Sequence, residues 1–228
     1  MYTESLVKLG KVRSEIREIF EYGNKRKAEI GAENVFDFSI GNPSVPAPKS
    51  VDDAIIDLVN NFDSVALHGY TSAQGDLETR QAIADYLNNT YETNFKADNL
   101  YMTMGAAASL SIAFKALTSS PDDEIIAIAP FFPEYRVFVT AAGAKFNVVA
   151  PDTKNFQINF DEFEKLVNKN TKAVIINSPN NPSGAVYSEQ TIKKLADFLS
   201  KKSEEYGTHI FIITDEPYRE IVYDGVEV

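Results

Sequence analysis

The sequence predicts an α/β protein, a three-layer α/β/α arrangement around a mostly parallel sheet. Three observations predict it. Apolar, strand-like runs recur at 100–104, 125–129, 145–149, 173–177 and 210–214. Helical spacing fills most of the gaps between them. The chain has 228 residues, 44% of them hydrophobic, which is enough to bury a sizeable core.

The elements can be justified in order. Residues 5–29 carry Leu6, Leu9, Ile16, Ile19 and Phe20 near helical spacing, which predicts an amphipathic N-terminal helix. Gly41 to Pro48 reads GNPSVPAP, and its three prolines forbid helix or central strand. A boundary is expected there. Ser50 begins S-V-D-D, a capping-box-like start for a helix running to about Asn61. His68 to Gly75 reads as a loop. Asp76 is placed to cap the next helix, with Leu77, Ile83, Tyr86 and Leu87 on or near its apolar face. Residues 106–117 form an alanine-rich helix. Residues 160–168 set Phe160, Phe163, Leu166 and Val167 on one face. Residues 189–202, started by Ser188, do the same with Ile192, Leu195, Phe198 and Leu199.

Composition narrows the function classes. With 22 basic and 33 acidic residues the net charge is −11, which repels phosphate backbones and disfavours nucleic acid as a partner. No cysteine is present, so disulfides, thiolate metal sites and cysteine nucleophiles are excluded. His68 and His209 are too few for a typical zinc site, so no metal is expected. The first residues lack a signal peptide's apolar core, and no run approaches the roughly 20 apolar residues that span a bilayer. A cytoplasmic protein with no membrane partner is expected.

Ligands of open α/β sheets bind beyond the carboxyl ends of the strands. Four unusual segments occupy such ends. Gly105-Ala106-Ala107 follows 100–104. A glycine turn opening a helix leaves N–H groups and a helix dipole for a phosphate; the plainer reading is a close-packed strand-to-helix turn. Phe131 to Tyr135 (FFPEY) follows 125–129, and one ring could stack on a planar ligand, with core packing as the alternative. Asn177 to Gly184 reads NSPNNPSG, a turn stiffened by two prolines and carrying short polar side chains. Asn181 could donate to a phenolate-like oxygen, while Asn177 is better suited to supporting the loop. Asp215 opens DEPY after 210–214. A carboxylate there needs a partner, and a protonated ring nitrogen is a good one; a helix N-cap is the other reading. Tyr218 could reach the same oxygen as Asn181.

These motifs carry a resemblance. NSPNNPSG, DEPY and the GNP at Gly41 resemble those of class I aminotransferases, fold-type-I enzymes that use pyridoxal 5'-phosphate. APFFPEY (Ala129 to Tyr135) and GYTSAQGDLETRQAIADYL (Gly69 to Leu87) are similar as well. The resemblance runs from about Ile16 to Tyr223 and is nearest the aspartate-aminotransferase-like branch. It implies residues 1–48 as an N-terminal arm and the start of a small domain, with 49–228 as a partial large cofactor-binding domain. It implies Asp215 on the pyridine nitrogen, Asn181 and Tyr218 on the ring 3-oxygen, and Phe132 on the ring face. Gly105, Ala106 and Ala107 would cradle the phosphate, where relatives often have Ser or Thr; the first following hydroxyl here is Ser109. Tyr70 would reach the partner's cofactor in a homodimer with its active site at the interface, and Gly41 would lie near the substrate carboxylate. The substrates implied are an amino acid of aspartate or alanine type and a 2-oxo acid.

One departure matters. The family holds its cofactor on a lysine soon after the Asp–Tyr motif, and no lysine follows Lys202 in these 228 residues. The expectation is therefore a chain that is inactive alone and binds the cofactor non-covalently at most. Two alternatives stand beside aminotransfer: a C–S lyase using the same cofactor, and a non-catalytic binding or interaction module.

Overall fold

The computed structural model describes residues 4–11, 15–41, 45–223, 225, 226 and 228. Residues 42–44, within the proline-rich segment and the GNP motif, lie outside the described residues. The chain divides into two compact units, Met1–Met102 and Thr103–Val228.

The first unit is helical. It contains α1 (Glu4–Lys11), α2 (Glu15–Ile30), α3 (Lys49–Asn61), α4 (Ser64–Leu67) and α5 (Leu77–Tyr91). The single N-terminal helix expected over 5–29 is thus described as two segments on either side of residues 12–14. Helix α3 begins one residue before Ser50. Its N-cap is Pro48, with no side-chain bond, so the expected capping box is not formed. Proline suits a position whose N–H has no helical acceptor. Asp76 does cap α5, accepting from the Thr79 N–H at 2.8 Å. The buried positions of α5 are Arg80 and Ala84, whereas Leu77 and Tyr86 are exposed. Arg80 is buried because its guanidinium is paired: Nη1 donates to the Ala97 carbonyl at 2.7 Å and Nε to that of Gly75.

The second unit alternates helix and strand. Its elements are α6 (Ala106–Leu117), β1 (Glu124–Ile128), α7 (Glu134–Ala142), β2 (Lys145–Val149), α8 (Phe160–Leu166), β3 (Thr171–Asn177), α9 (Glu189–Tyr206) and β4 (Phe211–Asp215). The four strands are all parallel, in the order β2-β1-β3-β4. The register pairs Ile126 with Val174, and Val174 with Ile212. Strand side chains alternate between faces, and both faces are covered. Ile126, Ile128, Val174 and Ile176 pack with Phe163 of α8 and with Leu195 and Leu199 of α9. Ile125, Ala127, Ala173 and Ile175 pack with Leu110 and Phe114 of α6 and with Tyr135 and Val139 of α7. Burial on both sides explains why these strands read as unbroken apolar runs. The predicted three-layer α/β/α class is the one observed.

One expected strand is absent. Residues 100–104 form no ladder; the Met102 N–H goes to the Gln74 carbonyl at 2.9 Å. A strand needs a neighbour as well as apolar residues, and residues 100–104 pair with none of the four strands. Conversely, α7 and the short α4 are helices that the pattern did not resolve.

Ser188 caps α9 as expected, accepting from the Thr191 N–H at 3.1 Å. Leu195 and Leu199 of the helix share a buried cluster with Val174 and Ile176 of β3, so this cap matters to the unit. Ser188→Ala should lower its stability by about 1 kcal/mol, read as an earlier urea midpoint. An unshifted midpoint would show that the cap contributes nothing.

Candidate functional site

The sheet order creates a switch point. From β1 the chain steps outward to β2, then returns across β1 to β3 and on to β4. Beyond the carboxyl ends of β1 and β3 the connections diverge, leaving the crevice where α/β proteins bind ligands. Two side chains draw these strand ends together. Asn180 Nδ2 donates to the Pro130 carbonyl at 3.1 Å, joining the loop after β3 to the loop after β1. Asn177, at the end of β3, donates from Nδ2 to the Asp215 carbonyl at 2.7 Å. Its Oδ1 accepts from the Asn181 N–H at 2.6 Å. Asn177 is only 4% exposed, and both ends of its amide are used. Its expected supporting role is what the geometry shows.

The NSPNNPSG segment is a folded turn. Asn180 Oδ1 accepts from the Ser183 N–H and hydroxyl, and Gly184 N–H returns to the Asn180 carbonyl at 2.8 Å. The Ser178–Pro179 and Asn181–Pro182 peptides are cis, as is Ala129–Pro130. Asn177 and Asn180 are thereby occupied within the protein. Asn181 instead lines a cleft of about 490 Å³ together with Tyr218, Pro179, Ile221 and Tyr223. The amide and phenol singled out from sequence therefore share one cavity. A larger hollow of about 580 Å³ lies elsewhere, between α9 and the free edge of β4. Its walls carry no such convergence of motif residues.

Asp215 closes β4, and residues 217–220 that follow are turns, so it caps no helix. Its Oδ2 accepts a 2.5 Å hydrogen bond from the Tyr135 hydroxyl, donated from the first turn of α7. Burial, and after it the bond to Asp215, push the Tyr135 phenol well above its ordinary pKa, so it remains a donor. The Tyr135 ring also meets Phe132 edge-on, with centroids 5.6 Å apart. Phe132 is half-buried against the α6–α7 face of the core. Sequence reasoning missed both Tyr135 and Asn180. The only signal for Tyr135 was its place in the aromatic cluster, for which core packing was the alternative considered.

Gly105 precedes α6 with φ 87°, a conformation that favours glycine, and open space lies where a Cβ would be. The backbone angle is therefore the reason for glycine here. Ala106 and Ala107 begin the helix and are exposed. As at any helix start, their N–H groups have no acceptor within the helix. The hydroxyls nearby serve the turn: Thr103 Oγ1 donates to the Gly105 carbonyl at 3.0 Å and lies 2.6 Å from Ser109 Oγ. Tyr70 and Gly41 belong to the first unit, where both are exposed.

Geometry alone defines a parallel α/β sheet with a clamped carboxylate at one strand end and an amide–phenol cleft at the next. Comparison with known proteins is more specific. The family model "Aminotransferase class I and II" matches residues 33–227. Aspartate aminotransferase of Thermotoga maritima is 34% identical over 91% of this chain and 53% of its own length. That of Pyrococcus horikoshii is 32% identical over 94% of this chain and 51% of its own. A crystal structure of an amino transferase from Eubacterium rectale is 68% identical, with TM-score 0.97 over all of this chain and 57% of that one. This chain belongs to the class I and II aminotransferases, the pyridoxal-phosphate-dependent family of fold type I. It spans about half the length of the curated relatives it matches.

The two asparagines flanking Asn180 should behave differently. Asn177→Ala leaves the part-buried Asn181 N–H and Asp215 carbonyl without these partners, and should destabilise the chain by about 2 kcal/mol. Asn181→Ala removes a side chain that faces the cleft, and should change stability by less than about 0.5 kcal/mol. Urea unfolding of both variants checks the contrast, and equal losses would refute it.

Proposed function

We propose that this chain forms the cofactor-gripping part of an aminotransferase. The reaction is amino-group transfer between an amino acid of aspartate or alanine type and a 2-oxo acid, with pyridoxal 5'-phosphate as cofactor. The observation that carries this reading is the Asp215 carboxylate, held by its side chain and backbone at the end of β4, three residues before Tyr218, which lines one cleft with Asn181. Those residues fit the group: an anion for a pyridinium nitrogen, and two hydrogen-bonding side chains for a ring oxygen.

Bound there, the cofactor supplies an electron sink for charge developing at the substrate α-carbon. Asp215 would keep the ring nitrogen protonated. Asn181 and Tyr218 would hydrogen-bond the 3-oxygen, and Phe132 would stack on the ring face. The N–H groups of Gly105, Ala106 and Ala107, with the α6 dipole, would hold the phosphate. With the nearby hydroxyls tied to one another, backbone donors carry this contact. Tyr70 would act across a homodimer interface, and Gly41 would lie at the substrate carboxylate. In the complete enzyme, residues 1–48 would start the small domain and 49–228 would belong to the large one. The similarity to aspartate aminotransferases, and to an alanine aminotransferase of Pyrococcus furiosus at 25% identity, supports the substrate class. A cytoplasmic location fits this reading; among the described residues no helix is long and apolar enough to cross a membrane.

Two measurements test the proposal. Pyridoxamine 5'-phosphate, which does not condense with surface lysines, should bind the chain reversibly in calorimetric titration. Asp215→Ala should weaken that binding at least about tenfold, since it removes a charge-assisted partner. Full-length protein given aspartate or alanine with 2-oxoglutarate should form glutamate. Pyruvate and ammonia released without an oxo-acid acceptor would mark a lyase instead.

A further inference from the structure

We infer that Tyr135 is the positioning residue for the cofactor's ring-nitrogen partner. It takes one oxygen of the Asp215 carboxylate and thereby aims the other at the ring. The inference rests on the reading of Asp215 given above. Tyr135 and Asp215 are 80 residues apart, yet their side chains meet at hydrogen-bond distance. The tyrosine is 1% exposed and is among the largest fully buried side chains. Its ring is fixed by the core between the sheet and α6, so its hydroxyl has little freedom to follow the carboxylate. The carboxylate must therefore follow the hydroxyl. The Asp215 backbone is held separately, by Asn177. With the main chain and Oδ2 both tied, the carboxylate plane is set, and Oδ1 accepts no bond from the described residues.

The same tyrosine touches Phe132 edge-on. Phe132 is the residue read as stacking on the ring face. One rigid aromatic on the first turn of α7 therefore contacts both proposed grips, the one on the ring plane and the one on its nitrogen. A phenol donor also suits the electrical task. It donates to the carboxylate without adding a competing positive charge beside a pyridinium. Burial supports this, because it keeps the phenol protonated.

A buried hydroxyl that merely satisfies itself would have the same hydrogen bond, so the test must separate aiming from support. Two probes are compared by calorimetry on the whole chain. One is pyridoxamine 5'-phosphate. The other is its carbocyclic analogue, a benzene ring with all substituents retained and no ring nitrogen. The wild-type chain should prefer the nitrogen-bearing probe. Tyr135→Phe should lower affinity for it about tenfold and leave the carbocyclic probe within about twofold. On an Asp215→Asn background Tyr135→Phe should change neither affinity, because the two residues act as one unit.

Equal losses for both probes in Tyr135→Phe would overturn the inference in favour of simple structural support, and so would a preference that survives the substitution intact. A wild-type chain that binds neither probe, or both alike, would overturn the reading of Asp215 itself and this inference with it. If Tyr135→Phe fails to fold, 3-fluorotyrosine placed at 135 keeps the hydroxyl while changing its donor strength. The ratio of the two affinities should then move, and an unmoved ratio overturns the inference.

Discussion

The second unit is arranged around one carboxylate. Asp215 stands at the end of a strand beside an apolar core, where an ionisable group is costly unless its lone pairs are used. Tyr135, from α7, donates to the carboxylate, and Asn177, from the end of β3, donates to the Asp215 main-chain carbonyl. For both to arrive, β3 must sit beside β4 in register, with Asn177 opposite Asp215. Five residues must also separate β1 from α7, so that Tyr135 falls on its first turn. A one-residue slip in β4 would turn Asp215 to the other face of the sheet and lose the Tyr135 bond. The apolar alternation that packs Val174 and Ile175 on opposite faces is thus the same constraint that presents the carboxylate.

The edge of the sheet tells a related story. Strands β1 and β3 are buried along nearly their whole length, while β4 is mostly exposed, including Phe211 and Ile212. Its sequence nevertheless reads like theirs. An apolar strand with one unpaired edge is a surface that proteins ordinarily cover or charge. The curated relatives are about twice as long as this chain.

Much of this was legible, and the failures have physical reasons. Asp76 and Ser188 were readable as caps because capping is local, a side chain and an N–H three residues on. Ser50 failed as a cap because Pro48 competes for the same helix start. The run at 100–104 failed as a strand because pairing is not local; its apolarity is real, but it lies beside none of the four strands. Helix α7 was hidden by the Phe-Phe-Pro cluster, whose aromatics signal a core more strongly than a helix. At the proposed site, Asp215, Asn181 and Tyr218 are singled out by their motifs. Tyr135 is not, because nothing in 80 intervening residues says that a core phenol will meet a strand-end carboxylate. Asn180 was hidden in the same way by its likeness to its neighbour.

That likeness deserves its physical explanation. Asn177, Asn180 and Asn181 are chemically identical, and their duties are divided by where the backbone turns. Asn177 is still on the strand, so its side chain lies over the neighbouring strand end and bonds to it. Asn180 sits where the chain folds back, so its amide can reach both Ser183 and the Pro130 carbonyl across the switch point. Asn181 follows, its own N–H already taken by Asn177, and its side chain is left on the cleft wall with Tyr218. Two asparagines are spent on holding the third in place. A ligand meeting Asn181 would find it backed by a buried amide network, with little ordering left to do on binding. The same economy governs the Gly105 turn, where Thr103 and Ser109 bond to each other and the exposed start of α6 offers its backbone. In both places polar side chains fix the scaffold, and the groups facing outward are few and set.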